Sequence, residues 1–91
     1  MALGDKIRQF IYDYYIELER KKGKTHIKLV SGEVHSSMGL VNRMPAVCST
    51  LRSKELEILC NIQLIDEVRR STVKKDSSTN LFVFKIVNKK T

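Results

Sequence analysis

The segment SGEVHSSMGLVNRMPAVCSTLRS, residues 31 to 53, constrains the fold most strongly, because it carries a helix stop and a helix start six residues apart. Gly39 can adopt the left-handed backbone conformation that ends many helices. Pro45 lacks a backbone N–H, which is harmless in the first turn of a helix and disruptive in its interior. The segment therefore predicts two short helices joined by a tight link.

The first helix of the pair is predicted to begin at Ser31, whose hydroxyl is of the type that caps helix N-termini. Val34 and Met38 are four residues apart and lie on one face. Leu40 and Val41 follow Gly39, and we expect them to form a hydrophobic clasp against the helix that they leave.

The second helix of the pair is predicted to begin between residues 42 and 45. Val47 and Leu51 are four apart and should face the core, with Cys48 beside them. The remaining polar side chains are expected toward solvent: Arg43, Ser49, Thr50, Arg52 and Ser53. The following run KELEILCN leaves two alternatives open, an extension of this helix or a separate short turn.

An earlier helix, helix 1, is predicted from Asp5 to about Lys22, with Asp5 as its N-cap and Gly23 as its stop. Its apolar residues recur at helical spacing, and we expect them to form the buried face. These residues are Ile7, Phe10, Ile11, Tyr14 and Leu18.

The remaining predicted elements are strands. HIKLV, residues 26–30, is a short run rich in branched residues, and IQLIDEVRRSTV and NLFVFKIV are β-rich runs separated by the turn-like KKDSS. In the last run Phe82, Phe84 and Ile86 alternate with more polar positions and should face the core. The two runs predict a hairpin with a basic tip at Lys74 and Lys75.

The order helix, short strand, helix, helix, hairpin resembles the winged helix-turn-helix fold. The resemblance covers residues 5–88 and implies one α+β domain over residues 1–91, with three helices packed on a small antiparallel sheet and a C-terminal β-hairpin as the wing. The segment that opens this section is also similar to small helix-turn-helix-like domains of prokaryotic restriction and other nucleic-acid-processing systems.

The resemblance implies that the second helix of the pair enters the major groove of duplex DNA and that the wing reaches the backbone. The net charge of +7 favours a polyanionic partner, and residues 42–54 contain three cations and no carboxylate. We therefore expect a small DNA-binding protein, a transcriptional regulator or the recognition part of a nucleic-acid-processing system. The candidate contact residues are Asn42, Arg43, Ser49, Thr50, Arg52, Ser53, Lys54, Arg69, Arg70, Lys74 and Lys75.

Structural explanations exist for several of these residues. Arg52 can instead pair with Glu55 or Glu57, Asn42 can simply cap a helix, and lysines on edge strands also prevent aggregation. The basic run ERKKGK at the end of helix 1 is a second candidate for phosphate contact, although cations also collect at helix C-termini because of the helix dipole.

The sequence leaves other partners open, but it favours neither catalysis nor metal binding. A protein-interaction module could use Leu40, Met44 and Ala46 as a docking patch, two copies could pair through helix 1, and an RNA partner is a third possibility. We expect no enzyme and no cofactor, since no phosphate-binding glycine loop or catalytic constellation is present. The set His26, His35, Cys48 and Cys60 lacks the close pair typical of zinc sites, so no metal is expected.

The expected location is the cytoplasm, with no membrane partner. Cys48 and Cys60 are too few for a secreted disulfide framework, and we expect them to be small core residues.

Overall fold

Four helices and a three-stranded antiparallel sheet make up the part of the chain that the structure describes. The structure is a computed structural model that describes residues 2–70 and 76–87. The α+β class and the antiparallel sheet are as predicted, whereas the described ranges hold one helix more than the three expected.

Helix α1 spans residues 3–21 in three consecutive segments, an α-helical Leu3–Ile11, a π-helical Tyr12–Ile16 and an α-helical Glu17–Lys21. The wider π turn rotates the later residues relative to a regular helix. The buried face therefore continues from Ile11 to Ile16, five residues on. The predicted core positions Tyr14 and Leu18 are 60% and 51% exposed, so that part of the prediction is wrong.

The two ends of α1 differ in how well they were predicted. The helix begins after Ala2, so Asp5 is not its N-cap; its carboxylate lies in the first turn and pairs with Arg8. At the other end Lys22 is the C-cap and Gly23 has a φ of +77°, which confirms the predicted stop.

Strand β1 is His26–Val30, as predicted, and helix α2, Ser31–Ser37, follows it directly. The predicted capping role of Ser31 is wrong, because the extended Val30 is the N-cap. The Ser31 hydroxyl instead donates to the Ser77 carbonyl oxygen at 2.5 Å. Gly39 has a φ of +68° just after α2, which confirms the predicted stop.

Helix α3 is Met44–Leu51 and carries Pro45 in its first turn, as predicted. Of the expected clasp, Leu40 packs partly against the core, whereas Val41 is 74% exposed and takes no part in it. KELEILCN forms a separate helix α4, Lys54–Cys60, and Asn61 ends it in the left-handed conformation.

Strand β2 is Ile62–Val68 and β3 is Leu81–Ile86, and β3 lies between β1 and β2 in the sheet. Within the described residues, the predicted strand over residues 62–73 ends at Val68, and residues 71–73 lie outside those ranges. The β2 ladder is interrupted by a bulge between Leu64 and Asp66. Phe82, Phe84 and Ile86 are buried on the helix side of β3, as the alternation predicted.

The helices cover one face of this sheet and form a single core with it. Cys48 and Cys60 both belong to that core as free thiols, and burial raises the pKa of the Cys60 thiol to about 11. Among the described residues, every helix is too short or too polar to cross a bilayer.

Candidate nucleic-acid interface

The N-terminal end of α3 presents an exposed polar surface, which contains Asn42 and Arg43, and Ser49 is exposed nearer the C-terminal end. Asn42 takes a left-handed conformation with φ +54°, which a short polar side chain tolerates better than most. Arg43, and not Asn42, is the N-cap residue. The Arg43 backbone N–H donates to Nε2 of His35 at 3.2 Å, which ties the turn to α2 and leaves the guanidinium exposed.

Thr50 lies on the opposite side of α3 and is not available to a ligand. Its side chain was expected in solvent, but only 5% of the residue is exposed. The hydroxyl donates to the Ala46 carbonyl oxygen at 2.8 Å, one turn earlier in the helix. Thr50 also lies near the start of α1, since a Cβ at Gly4 would be 3.9 Å from its hydroxyl oxygen. The prediction failed because Thr50 shares a helix face with the core residues Val47 and Leu51.

Arg52 at the C-terminal end of α3 has a structural role. Its guanidinium lies 2.8 Å from a carboxylate oxygen of Glu67 and 2.8 Å from one of Asp76, and it covers the ring of Phe82 at 5.7 Å. These partners come from β2 and from the segment before β3. Neither the predicted solvent exposure of Arg52 nor its alternative pairing with Glu55 or Glu57 is observed.

The Arg52 cluster, which we define as Arg52, Glu67 and Asp76, changes the electrostatics of this end of the helix. Hydrogen bonds from Arg52 lower the pKa of Glu67, and the bond to Glu67, assisted by that to Asp76, raises the pKa of Arg52. Residues 42–54 carry no acid in sequence, yet folding brings two carboxylates to their end. Arg52 offsets one of these two negative charges, which would otherwise repel a phosphate.

The next two candidate residues are divided between structure and solvent. Ser53 caps α4: its hydroxyl accepts the N–H of Leu56 at 3.2 Å and donates to the Thr50 carbonyl oxygen at 2.7 Å. Lys54, the first residue of α4, is exposed. Only Lys54 of this pair can therefore reach a ligand without breaking a cap.

The hairpin connection begins at the Arg52 cluster. Arg69 is exposed, and its Nε lies 3.2 Å from the same Glu67 carboxylate that binds Arg52; Arg70 follows it and is also exposed. The C-terminal end of α3 and the base of the hairpin therefore share one acceptor. Lys74 and Lys75 lie outside the described residues.

The returning side of the hairpin is fixed by the start of α2. The N–H of Ser31 donates to the Asn80 carbonyl oxygen at 3.0 Å, and the N–H of Gly32 donates to that of Ser78 at 2.9 Å. A Cβ at position 32 would lie 2.6 Å from the Ser78 oxygen, so only glycine fits this approach without a shift. Sequence reasoning missed this junction, because its partners are more than 40 residues apart.

The basic run ERKKGK lies far from α3. Thr50 of α3 packs near Gly4 at the start of α1, whereas Arg20 at the other end donates to the carbonyl oxygens of Cys60 and Asn61. A helix of this length separates its ends by roughly 28 Å. The run is therefore not beside the proposed groove-binding helix.

Leu40, Met44 and Ala46, the expected docking patch, are each half-buried against the core. Within residues 2–70 and 76–87, no cluster of three or more potential metal ligands occurs.

Together these features define a small α+β domain in which the N-terminal end of α3 is exposed and its C-terminal end adjoins the base of a hairpin. Comparisons with models of protein families, with curated proteins and with solved structures gave no match. Any function must therefore be inferred from this chain's own residues.

Proposed function

We propose that this protein is a winged helix-turn-helix domain that binds duplex DNA. The exposed N-terminal end of α3 enters the major groove, and Lys54 and the hairpin residues Arg69 and Arg70 contact phosphates. The order of the elements supports this class, as does the position of the last strand between the other two. Regulation of transcription, or recognition within a nucleic-acid-processing system, is the corresponding biological role.

The observation that carries the proposal is the junction at Glu67. Because Arg52 of α3 binds Glu67 of β2, the end of α3 is held against the base of the hairpin, where Arg69 binds the same carboxylate. A rigid helix and hairpin can engage a groove and its flanking phosphates together, with less ordering cost than two mobile segments. Arg43 lies at the other end of α3, about 14 Å from Arg52 along the helix axis.

The proposal revises the set of contact residues. Thr50, Arg52 and Ser53 support the structure. The contacts fall to Asn42, Arg43, Ser49 and Lys54, and to Arg69 and Arg70 at the base of the hairpin. Arginine can bind guanine through two hydrogen bonds, and asparagine can do the same with adenine. Lysine and serine side chains can both donate to phosphate oxygens.

The test is fluorescence anisotropy with a labelled 20-base-pair duplex of mixed sequence. Affinity should fall steeply as salt rises, and Arg43→Gln should weaken binding by about tenfold, with Lys54→Gln reducing the salt slope by about one. Lys85→Gln is the matched control, because Lys85 makes the same charge change on the sheet face away from the helices. Equal losses in all three variants would show that only net charge matters and would contradict the proposal.

A matched RNA duplex and an RNA hairpin separate DNA binding from the RNA alternative. The deep and narrow major groove of A-form RNA does not admit a helix, so we expect the DNA duplex to bind more tightly. Preference for the RNA hairpin would favour the alternative.

Pairing of two copies through α1 stays a prediction, and the exposed Tyr14 and Leu18 support it. Tyr14 stacks on Phe10 with ring centroids 4.5 Å apart, which continues the apolar surface along the helix. Sedimentation equilibrium should show a dimer that Leu18→Lys dissociates. A monomer at all concentrations would contradict pairing and would leave the DNA proposal intact.

A further inference from the structure

The two outer strands of the sheet differ in how their free edges are protected. On the free edge of β2, the Leu64 N–H donates to Oε2 of Glu57 at 2.8 Å. The bulge that follows distorts the same edge. Bulges and covering side chains prevent other chains from adding to an edge. β1 has no comparable cover within the described residues.

Hydrogen bonds at both ends of β1 fix which of its backbone groups are free. The Thr25 carbonyl accepts the N–H of Ile86 at 2.8 Å, and the Ser31 N–H donates to the Asn80 carbonyl at 3.0 Å. In an antiparallel ladder, alternate residues bond to the same neighbour, so the odd-numbered residues of β1 bond to β3. The even-numbered residues direct their backbone groups to the open edge: His26, Lys28 and Val30.

A groove of about 380 Å³ lies between this edge and the C-terminal half of α1. The lining contains two lysines, Lys24 and Lys28, and one acid, Glu19, whose carboxylate lies 3.5 Å from Lys22. Its charge is therefore mainly positive. The exposed ring of Tyr14 adds an apolar wall. The polar and aromatic lining residues are Tyr14, Tyr15, Glu19, Lys24, His26 and Lys28.

We propose that the open edge of β1 binds an extended acidic peptide segment of a partner protein by strand addition. The peptide backbone pairs with the free N–H and C=O groups, and its carboxylates lie near Lys24 and Lys28. This inference does not depend on DNA binding, because its residues are not among the proposed DNA contacts.

The geometry favours this occupant over two others. A second copy that paired along the whole of β1 would place Lys28 directly opposite the Lys28 of that copy, and like charges in this position are destabilising. A nucleic-acid strand would use the cations, but its backbone lacks the alternating donors and acceptors that the edge presents. An acidic peptide strand supplies both carboxylates for the cations and backbone groups for the edge.

The probe is an eight-residue peptide of alternating Glu and Val, and its control is the same peptide with Lys in place of Glu. Amide hydrogen exchange of the full chain should show new protection at His26, Lys28 and Val30 with the acidic peptide. Ile27 and Leu29, which already bond to β3, should change little. If roughly 1 mM peptide gives no new protection, the dissociation constant is too high for a useful interaction, and the proposal is overturned.

Two substitutions at one position separate charge from backbone pairing. Lys28→Gln should weaken binding by about threefold to fivefold through loss of one charge contact. Lys28→Pro also removes the outward N–H and should abolish binding, while the β1–β3 ladder stays intact because that N–H does not bond to β3. Lys6→Gln, on an exposed turn of α1 outside the groove lining, is the charge control and should bind like the wild type.

Three results would overturn the proposal. Equal binding of the Lys–Val peptide would show that charge does not select the occupant. Protection that grows with chain concentration and needs no peptide would indicate self-pairing. Protection by an eight-nucleotide oligothymidine, without protection by the acidic peptide, would indicate a single-stranded nucleic-acid groove.

Discussion

The two ends of α3 have the same kind of sequence and different physical roles. Arg43 at the N-terminal end is exposed, whereas Thr50, Arg52 and Ser53 at the other end each hold part of the fold. A basic or hydroxylic side chain is therefore no evidence of a contact residue by itself. The comparison predicts that substitutions at the C-terminal end reduce stability and that those at the N-terminal end reduce binding.

Arg52→Met should have the largest effect on stability. It leaves Glu67 and Asp76 without their shared cation, and removal of one partner from such a network costs about 3 kcal/mol. Urea denaturation followed by circular dichroism measures the loss in the free energy of unfolding. A loss below about 0.5 kcal/mol, the size expected for a surface residue, would break the comparison.

Acid should weaken the same cluster to a smaller degree. Arg52 lowers the pKa of Glu67, so the stabilisation is complete above the ordinary glutamate pKa of about 4.3 and is lost as the pH falls through the lower value of the folded state. Protonation still leaves Arg52 its contact with Phe82, which limits the effect. Urea midpoints between pH 6 and pH 3 should fall more steeply for the wild type than for Glu67→Gln. Parallel curves would show that this carboxylate is not involved.

Ser53→Ala should cost about 1 kcal/mol, the usual loss for a helix N-cap. The hydroxyl accepts the N–H of Leu56 and has no substitute in alanine. Thermal unfolding measures the change, and Ser53→Asp, which restores an acceptor, is the matched control. If alanine and aspartate variants unfold at the same temperature, the cap does not contribute.

Arg43→Gln should have the smallest effect on stability, within about 0.5 kcal/mol of the wild type. The exposed guanidinium makes no ion pair among the described residues, and the bond to His35 uses the backbone N–H, which the substitution keeps. Urea denaturation followed by circular dichroism measures this change in the free energy of unfolding. A loss as large as that of Arg52→Met would show that both ends of α3 are structural.

Local patterns in the sequence were sufficient for much of the fold. Gly23, Gly39 and Pro45 mark helix ends because backbone geometry at these positions depends on the residue itself. The alternation in β3 likewise identified its buried face. The buried face of α1 could not be predicted past Ile11, since the π turn breaks the helical period that the prediction assumed.

The candidate site was less predictable, because it depends on partners distant in sequence. Arg52 meets Glu67 and Asp76 only after β2 and the hairpin have folded, and Ser31 meets Ser77 across 46 residues. Sequence reasoning identified a basic segment correctly. It could not distinguish the side chains that bind other residues of the protein from those that remain available to a ligand.

Amide chemical-shift mapping with a 20-base-pair DNA duplex tests the central claim most directly. The claim predicts the largest changes at residues 42–49, with further changes at Lys54, Arg69 and Arg70, and it predicts their loss at high salt. Changes confined to the outer face of the sheet around Lys28 and Lys85, with none in residues 42–49, would contradict it.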